Sequence, residues 1–215
     1  MNNVTEIVFI LDKSGSMAGL ESDTVGGFNS MIEKQRGVEG DTWVSTVLFD
    51  NVSTVLHDRI RLTDVPKMTE KEYSVGGCTA LLDAVGGAIR HIANIHKYAR
   101  PEDVPAKTVF VITTDGMENA SRRYGYDDVR AMIETQKARG WEFLFLGANI
   151  DAAAEAKRFG IDATRAANYH CDGEGTALNY EVLSEAIATV RGGGGLKKNW
   201  KARIDADYQA RGAKR

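Results

Sequence analysis

Three short segments of the chain are almost wholly apolar and show no alternation: Glu6-Ile-Val-Phe-Ile-Leu11, Thr108-Val-Phe-Val-Ile-Thr113 and Glu142-Phe-Leu-Phe-Leu146. Runs of this length, rich in β-branched and aromatic side chains and lacking a polar face, read as strands buried on both sides. Such strands belong to a parallel sheet covered by helices above and below. The intervening sequence supplies those helices. Thr79–Tyr98 places Leu82, Val85, Ala88, Ile89, Ile92 and Ile95 at helical spacing, and Tyr126–Arg139 does the same with Val129, Met132 and Ile133. The alternation predicts an α/β fold: a Rossmann-like, doubly wound, mostly parallel sheet of six strands with helices on both faces. One pair breaks the rhythm. Only Asp50-Asn51 separates Thr42–Phe49 from Val52–Ile60, too little for a crossover helix, so these two strands form an antiparallel hairpin at one edge. The later chain adds a helix over Ala152–Phe159, a short strand around Ala166–Tyr169 and a helix over Thr176–Arg191.

With 215 residues, 43% of them apolar and 27% charged, the chain is expected to fold as one soluble domain over residues 1–191. Residues 192–195, four glycines, read as a helix stop and a flexible linker to a basic tail, residues 196–215. In that tail Leu196, Trp200, Ile204 and Tyr208 recur every four residues amid Lys197, Lys198, Lys201, Arg203 and Arg211, the pattern of a basic amphipathic helix. The tail carries a net charge of +5 and residues 1–195 carry −8. An acidic body is a poor match for a phosphate backbone, so a nucleic-acid partner would have to be reached through the tail. Two cysteines build no disulfide framework, and no stretch approaches the roughly 18 apolar residues of a membrane span. Met1-Asn2-Asn3-Val4-Thr5-Glu6 has neither the basic start nor the apolar run of a signal peptide. The expectation is a cytoplasmic protein with no membrane partner.

The first buried strand runs into Asp12-Lys-Ser14-Gly-Ser16, and the loop at a strand's carboxyl end is where open α/β sheets place their ligands. One carboxylate and two hydroxyls at alternating positions in a glycine-containing loop can converge on one point. The strand over Thr108–Thr113 delivers a second carboxylate, Asp115, to the same edge, and Gly76-Gly77-Cys78-Thr79 brings a third hydroxyl in ahead of a long helix. All these donors are hard oxygens, which suit Mg²⁺, Mn²⁺ or Ca²⁺ better than zinc or copper.

Asp-x-Ser-x-Ser after the first strand, a Thr before a long helix and Asp-Gly after the fourth strand together resemble the von Willebrand factor A-type (VWA) domain and its metal-ion-dependent adhesion site. The resemblance covers roughly residues 4–191 and is greatest to uncharacterised cytoplasmic members encoded by bacteria and phages. It implies that Asp12, Ser14, Ser16, Thr79 and Asp115 are the metal ligands, with Thr79 also able to cap its helix. It further implies a binding module, not an enzyme: a protein partner with an exposed Asp or Glu carboxylate docks through the divalent cation, Mg²⁺ or alternatively Mn²⁺ or Ca²⁺. Two carboxylates and three neutral hydroxyls leave such a cation without surplus negative charge, and Mg²⁺ wants six oxygens, so a place is left for the partner's carboxylate.

Two other readings draw on the same residues. A metal-dependent phosphotransferase or phosphatase of haloacid-dehalogenase type also has an Asp after its first strand, but it typically has a second Asp two residues on, where this chain has Ser14. A nucleic-acid-associated factor would act through the basic tail. No Gly-x-Gly-x-x-Gly follows a strand, which argues against a dinucleotide enzyme. His91 and His96 are five apart, not the four of a helical metal pair, and His57 sits in an edge strand. Cys78 reads as a reduced packing cysteine. His170-Cys171 and Asn149-Ile-Asp151 are placed to flank the crevice, and Asp50, Asp83 and Glu118 to surround it without ligating.

Overall fold

A computed structural model of the chain describes residues 3–212; Met1, Asn2 and the last three residues of the expected tail, 213–215, lie outside the described residues. Six strands form one sheet: β1 (Thr5–Asp12), β2 (Thr42–Phe49), β3 (Ser53–Arg61), β4 (Lys107–Thr114), β5 (Glu142–Ala148) and β6 (Ala166–Tyr169). Their order across the sheet is β3-β2-β1-β4-β5-β6, with every pair parallel except the β2–β3 hairpin. The doubly wound sheet with one antiparallel edge pair is thus the one the apolar runs and the short Asp50-Asn51 connection predict. The hairpin register shifts around Thr46, and Arg59 takes a φ of 49°, a bulge that twists the edge strand.

All eight residues of β1 are buried, and its two faces feed two cores. Ile7, Phe9 and Leu11 pack with Phe28 and Met31 of α1 (Glu21–Arg36) and with Leu183 and Ile187 of α5 (Gly173–Arg191). Val8 and Ile10 pack with Val85 and Ile89 of α2 (Leu81–Tyr98) and with Val129 and Ile133 of α3 (Tyr126–Lys137). Side-chain alternation along a strand explains how an unbroken apolar run serves helices on both sides. α1 is the helix that periodicity does not announce, because its buried face mixes Phe28, Met31 and Ile32 with Thr24 and Gln35. Gln35 is held by the backbone and hydroxyl of Ser184 in α5, at 2.8 and 3.0 Å. α4 (Ala152–Arg158) and α5 are each started by an aspartate, Asp151 and Asp172, whose carboxylates accept a first-turn N–H at 2.9 Å.

The glycine run closes α5: the N–H groups of Gly192, Gly193 and Gly194 return to carbonyls of Ala188, Val190 and Thr189. Beyond it α6 (Ala202–Arg211) packs along β6 and α5. Leu196 and Ile204 are buried in the first core, and the Trp200 indole donates to the carbonyl of Thr164 at 2.8 Å. Two of the tail's cations face the body's acids. Arg203 pairs with Glu181 and Glu185, both at 3.0 Å, and Arg211 with Asp172 at 2.8 Å and with Asp207 of its own helix. No helix among the described residues is long and apolar enough to cross a membrane.

Truncation after Arg191 is expected to leave a cooperatively melting sheet with its circular dichroism retained. The cost is about 3–6 kcal/mol in urea denaturation, from losing the burial of Leu196 and Ile204 at about 1.5–3 kcal/mol per side chain. A truncated chain that does not fold would show instead that α6 is integral to the domain.

Candidate metal centre

From β1 the chain passes to β2 on one side, and after the hairpin and α2 it enters β4 on the other. Connections that diverge from neighbouring strand ends open a crevice between them. Asp12 closes β1 and Asp115 follows β4, so the crevice is bounded by carboxylates that are 1% and 3% exposed. A buried carboxylate needs donors, and Asp12 has three: the N–H of Ser14 and the hydroxyl of Thr114, each at 2.7 Å, and the N–H of Asp115 at 3.3 Å. Asp115 accepts from the Asn149 amide, the Cys171 thiol and the Ser16 hydroxyl. Burial pushes the Asp115 carboxyl above its ordinary value, and the neighbouring Asp12 charge adds to the rise against those hydrogen bonds.

The hydroxyls meet the carboxylates there. Ser14 Oγ lies 3.2 Å from Ser16 Oγ, and the Thr79 hydroxyl donates to Ser14 Oγ at 3.2 Å. The structure therefore brings together all five residues of the sequence motif, from three loops. Those loops are stitched by backbone bonds, Gly15 N–H to Gly77 O at 3.0 Å and Gly76 N–H to Lys13 O at 2.9 Å, and the Tyr73 hydroxyl donates to Asp12 O. Gly77 has a φ of +76°, and a Cβ there would lie 2.1 Å from Asn51 Oδ1, the acceptor for the Cys78 N–H. Only glycine allows that turn.

The donor set fits a hard divalent cation. Among the described residues no three His, Cys, Asp or Glu side chains form a metal-holding group. The cluster holds two carboxylates and reaches five oxygen-bearing residues only through Ser14, Ser16 and Thr79. A Cβ at Gly116 would make ordinary contact with Thr79 Oγ1 at 3.4 Å and Ser16 Oγ at 3.7 Å, so this glycine lies against the cluster. The crevice, about 1000 Å³, continues from Ser16 and Asp115 past Asn149 to His170, Cys171 and Tyr208.

Two sequence expectations need correction. Thr79 does not cap α2: the N-cap position is Ala80, and the Thr79 hydroxyl turns to Ser14 instead. The free N–H groups of the helix are taken from another loop, Leu82 N–H by Glu118 at 2.8 Å and Asp83 N–H by Ser121 Oγ at 3.0 Å. Cys78 is exposed and packs in no core, because the turn at Gly77 lifts it off the body. The surrounding acids act as braces. Asp50 forms an ion pair with Lys13, Asp83 accepts from the N–H groups of Arg122, Arg123 and Tyr124, and Glu118 also binds those of Ala120 and Ser121. Asn119 clamps Thr79 from both sides, accepting its N–H at 2.9 Å and donating to its carbonyl at 3.0 Å. His91 pairs with Asp58 at the surface, His96 with buried Glu6, and His57 is buried against Phe28; none reaches the crevice. Thr114 and Asn119 were not singled out by the motif. The readable signal for Thr114 was a hydroxyl at the end of an apolar strand.

No protein-family profile matches the chain, and no curated protein sequence matches it. Solved structures do. Proximal thread matrix protein 1 of the mussel byssus, with a zinc-occupied metal-ion-dependent adhesion site, aligns over 86% of this chain and 46% of its own, at 16% identity and a TM-score of 0.58. The von Willebrand factor domain of the type V pilus tip protein Mfa5 of Porphyromonas gingivalis aligns over 85% of this chain and 94% of its own, at 11% identity and a TM-score of 0.61. The ArnB paralogue VWA2 of Sulfolobus acidocaldarius aligns over 86% and 45%, at 17% identity and a TM-score of 0.57. This chain thus spans less than half of the mussel and archaeal chains.

The capping pattern predicts an inversion of the usual order of cost. Glu118→Ala is expected to lose about 1–2 kcal/mol of stability through the helix start and loop it braces. Thr79→Ala, which caps nothing, is expected to lose less than about 1 kcal/mol. Chemical denaturation of the two variants checks this, and a larger loss for Thr79→Ala would refute it.

Proposed function

We propose that this chain, which has the fold of von Willebrand factor A domains, is a metal-dependent protein-binding module that recognises an Asp or Glu carboxylate on its partner. The observation that carries the reading is the convergence of Asp12, Ser14, Ser16, Thr79 and Asp115 at the switch point of the sheet, with three hydroxyls linked at 3.2 Å beside two buried carboxylates. A divalent cation held by these residues supplies an electrophilic position that a partner's carboxylate oxygen can complete. The zinc in the mussel protein supports a divalent ion in this type of site, and the all-oxygen donor set favours Mg²⁺, Mn²⁺ or Ca²⁺ here.

The chain's own residues prepare the site. Thr114 and the Ser14 N–H orient Asp12, and Asn149, Ser16 and Cys171 orient Asp115, so neither carboxylate must be ordered when the ion arrives. Binding without turnover is the reading best supported by the neighbouring groups. Lys13 is held by Asp50, so it does not stand free as a base or nucleophile. The pairing of Arg203 and Arg211 with acids of the body likewise disfavours the tail as a nucleic-acid surface.

Calorimetric titration of Mn²⁺ or Mg²⁺, with and without a glutamate-rich peptide, tests the proposal. Each ligand is expected to tighten the other by the same factor, as linkage requires. Asp12→Ala is expected to abolish both metal binding and the coupling while the fold persists. Equal metal affinity with and without the peptide would refute carboxylate recognition. Phosphomonoester hydrolysis abolished by Asp12→Asn, with metal binding retained, would replace the module with an enzyme.

A further inference from the structure

A groove of about 530 Å³ runs down the flank of the sheet between the β2–β3 hairpin and α2. It exists because α2 packs on β1 and β2 while the edge strand β3 projects past it. Val55 stands directly across from Val47, and so on the same face of the sheet, yet Val47 is 6% exposed and Val55 is 56% exposed. Val52, at the hairpin turn, is 65% exposed on the same groove. The helix side is open for a different reason. Packing explains Gly86, where a Cβ would lie 2.8 Å from the Tyr124 ring; Gly87 lines the groove, and a Cβ there would meet nothing within 4 Å. Glycine inside a helix is destabilising relative to alanine, and no contact within the chain requires this one. Its effect is to leave the groove unfilled.

The groove opens at the metal end of the molecule. Asn51, on its lining, accepts the Cys78 N–H at 2.7 Å, and the Asp50 carbonyl accepts the Ala80 N–H at 2.8 Å. The hairpin turn is thereby tied to both neighbours of Thr79. Met117, two residues past Asp115, is 58% exposed. Of the four exposed large apolar side chains among the described residues, three therefore lie at or beside the metal edge, and Tyr98 sits at the far end of α2. Arg123 is exposed at the groove's mouth, where Asp83 is occupied by three backbone N–H groups, while Asp58 and His91 pair with each other at 2.9 Å. A carboxylate on a cation covers little area, whereas a specific interface takes about 800 Å² from each partner. Apolar anchors seated in adjoining pockets supply most of the remaining energy.

Resting on the carboxylate recognition argued above, we propose that this groove receives an aliphatic side chain from the same partner segment whose Asp or Glu meets the metal. Gly87 comes eight residues after Thr79, about 12 Å along the helix direction at about 1.5 Å per residue. An extended chain covers that distance in about four residues. The partner is thus assigned a two-part motif: an acidic residue and, about four residues away in an extended segment, a leucine, isoleucine or valine.

The probes are serine-glycine peptides with one central glutamate and a leucine three, four or five residues to either side. A leucine-free peptide and one with glutamine in place of glutamate accompany them, and affinities are read by nuclear magnetic resonance titration in Mg²⁺ and in chelator. In Mg²⁺ the best leucine peptide is expected to bind about tenfold more tightly than the leucine-free one, the effect of burying one such side chain. Gly87→Leu fills the groove from within and is expected to erase that gain. Mg²⁺ affinity and leucine-free binding should be unchanged, with the melting temperature no lower than that of the unmodified chain. Val55→Ser, at an exposed position, is expected to cut the gain to about threefold. Glutamate binding in Mg²⁺ with no gain from leucine at any spacing, or a gain that neither variant moves, would overturn the groove and spare the carboxylate reading. Loss of all Mg²⁺-dependent glutamate binding would instead overturn that reading and the motif with it. A leucine gain that persists in chelator and with glutamine would show that the groove acts alone and refute the joint motif. A dimer in sedimentation that Gly87→Leu dissociates would assign the groove to a second copy of the chain and overturn the proposal.

Discussion

A carboxylate at the end of an entirely buried strand is the constraint around which this molecule is arranged. Asp12 follows seven buried residues of β1 and is itself almost without solvent. An ionised group in that position is tolerated only if its oxygens are met by donors or a counter-charge. The donors come from the loop that follows it and from the end of β4, so the β1 loop and the β4 loop are fixed relative to one another by the same carboxylate. The third loop is fixed through the backbone of residues 13–15 and through Tyr73. The site is thus assembled by satisfying one charge, and its readiness for a cation follows from how incompletely two adjacent carboxylates can be satisfied by neutral donors alone.

Much of this could be read from the sequence, because the signals are short and physical. The apolar runs fix which strands are central, and the two-residue interval after Phe49 fixes the one antiparallel pair. The convergence of Asp12, Ser14, Ser16, Thr79 and Asp115 at one edge of the sheet is legible because each lies within a few residues of an element boundary that hydrophobic patterning also reveals. What escaped depends on contacts between distant loops. That Glu118 and Ser121 start α2, while Thr79 turns away from it, is invisible to any rule based on neighbours three or four residues apart. α1 escaped because its buried face is shared by polar side chains whose partners lie in α5, 149 residues away in the chain for Gln35 and Ser184. Of the tail, only Ala202–Arg211 is helical, so Ile204 and Tyr208 lie on the helix while Leu196 and Trp200 precede it, and its docking against β6 rests on Ile204 and on ion pairs with α5 that spacing alone does not assign.

The two ends of the sheet have opposite electrical character. At the carboxyl edge aspartates gather in the loops; at the amino edge arginines from β3, α1 and α5 gather around Trp43 and Thr42. Parallel strands make such a polarity easy to build, since every strand ends on the same side and every helix returns to the other. The two cores between them, one on each face of β1, form the rigid body through which both ends are held.

The bulge at Arg59 and the packing of α6 along β6 bear on how copies of this molecule can meet. A sheet grows by adding strands at its margins, and the unpaired amides of a marginal strand are the template. Here one margin is kinked out of register by a residue in left-handed conformation, and the other is a strand of four residues with a helix laid along it. Neither offers a straight run of free backbone. Polymerisation by strand addition is therefore disfavoured at both margins, and self-association, if it occurs, is left to side-chain surfaces, where its extent can be limited by shape and charge.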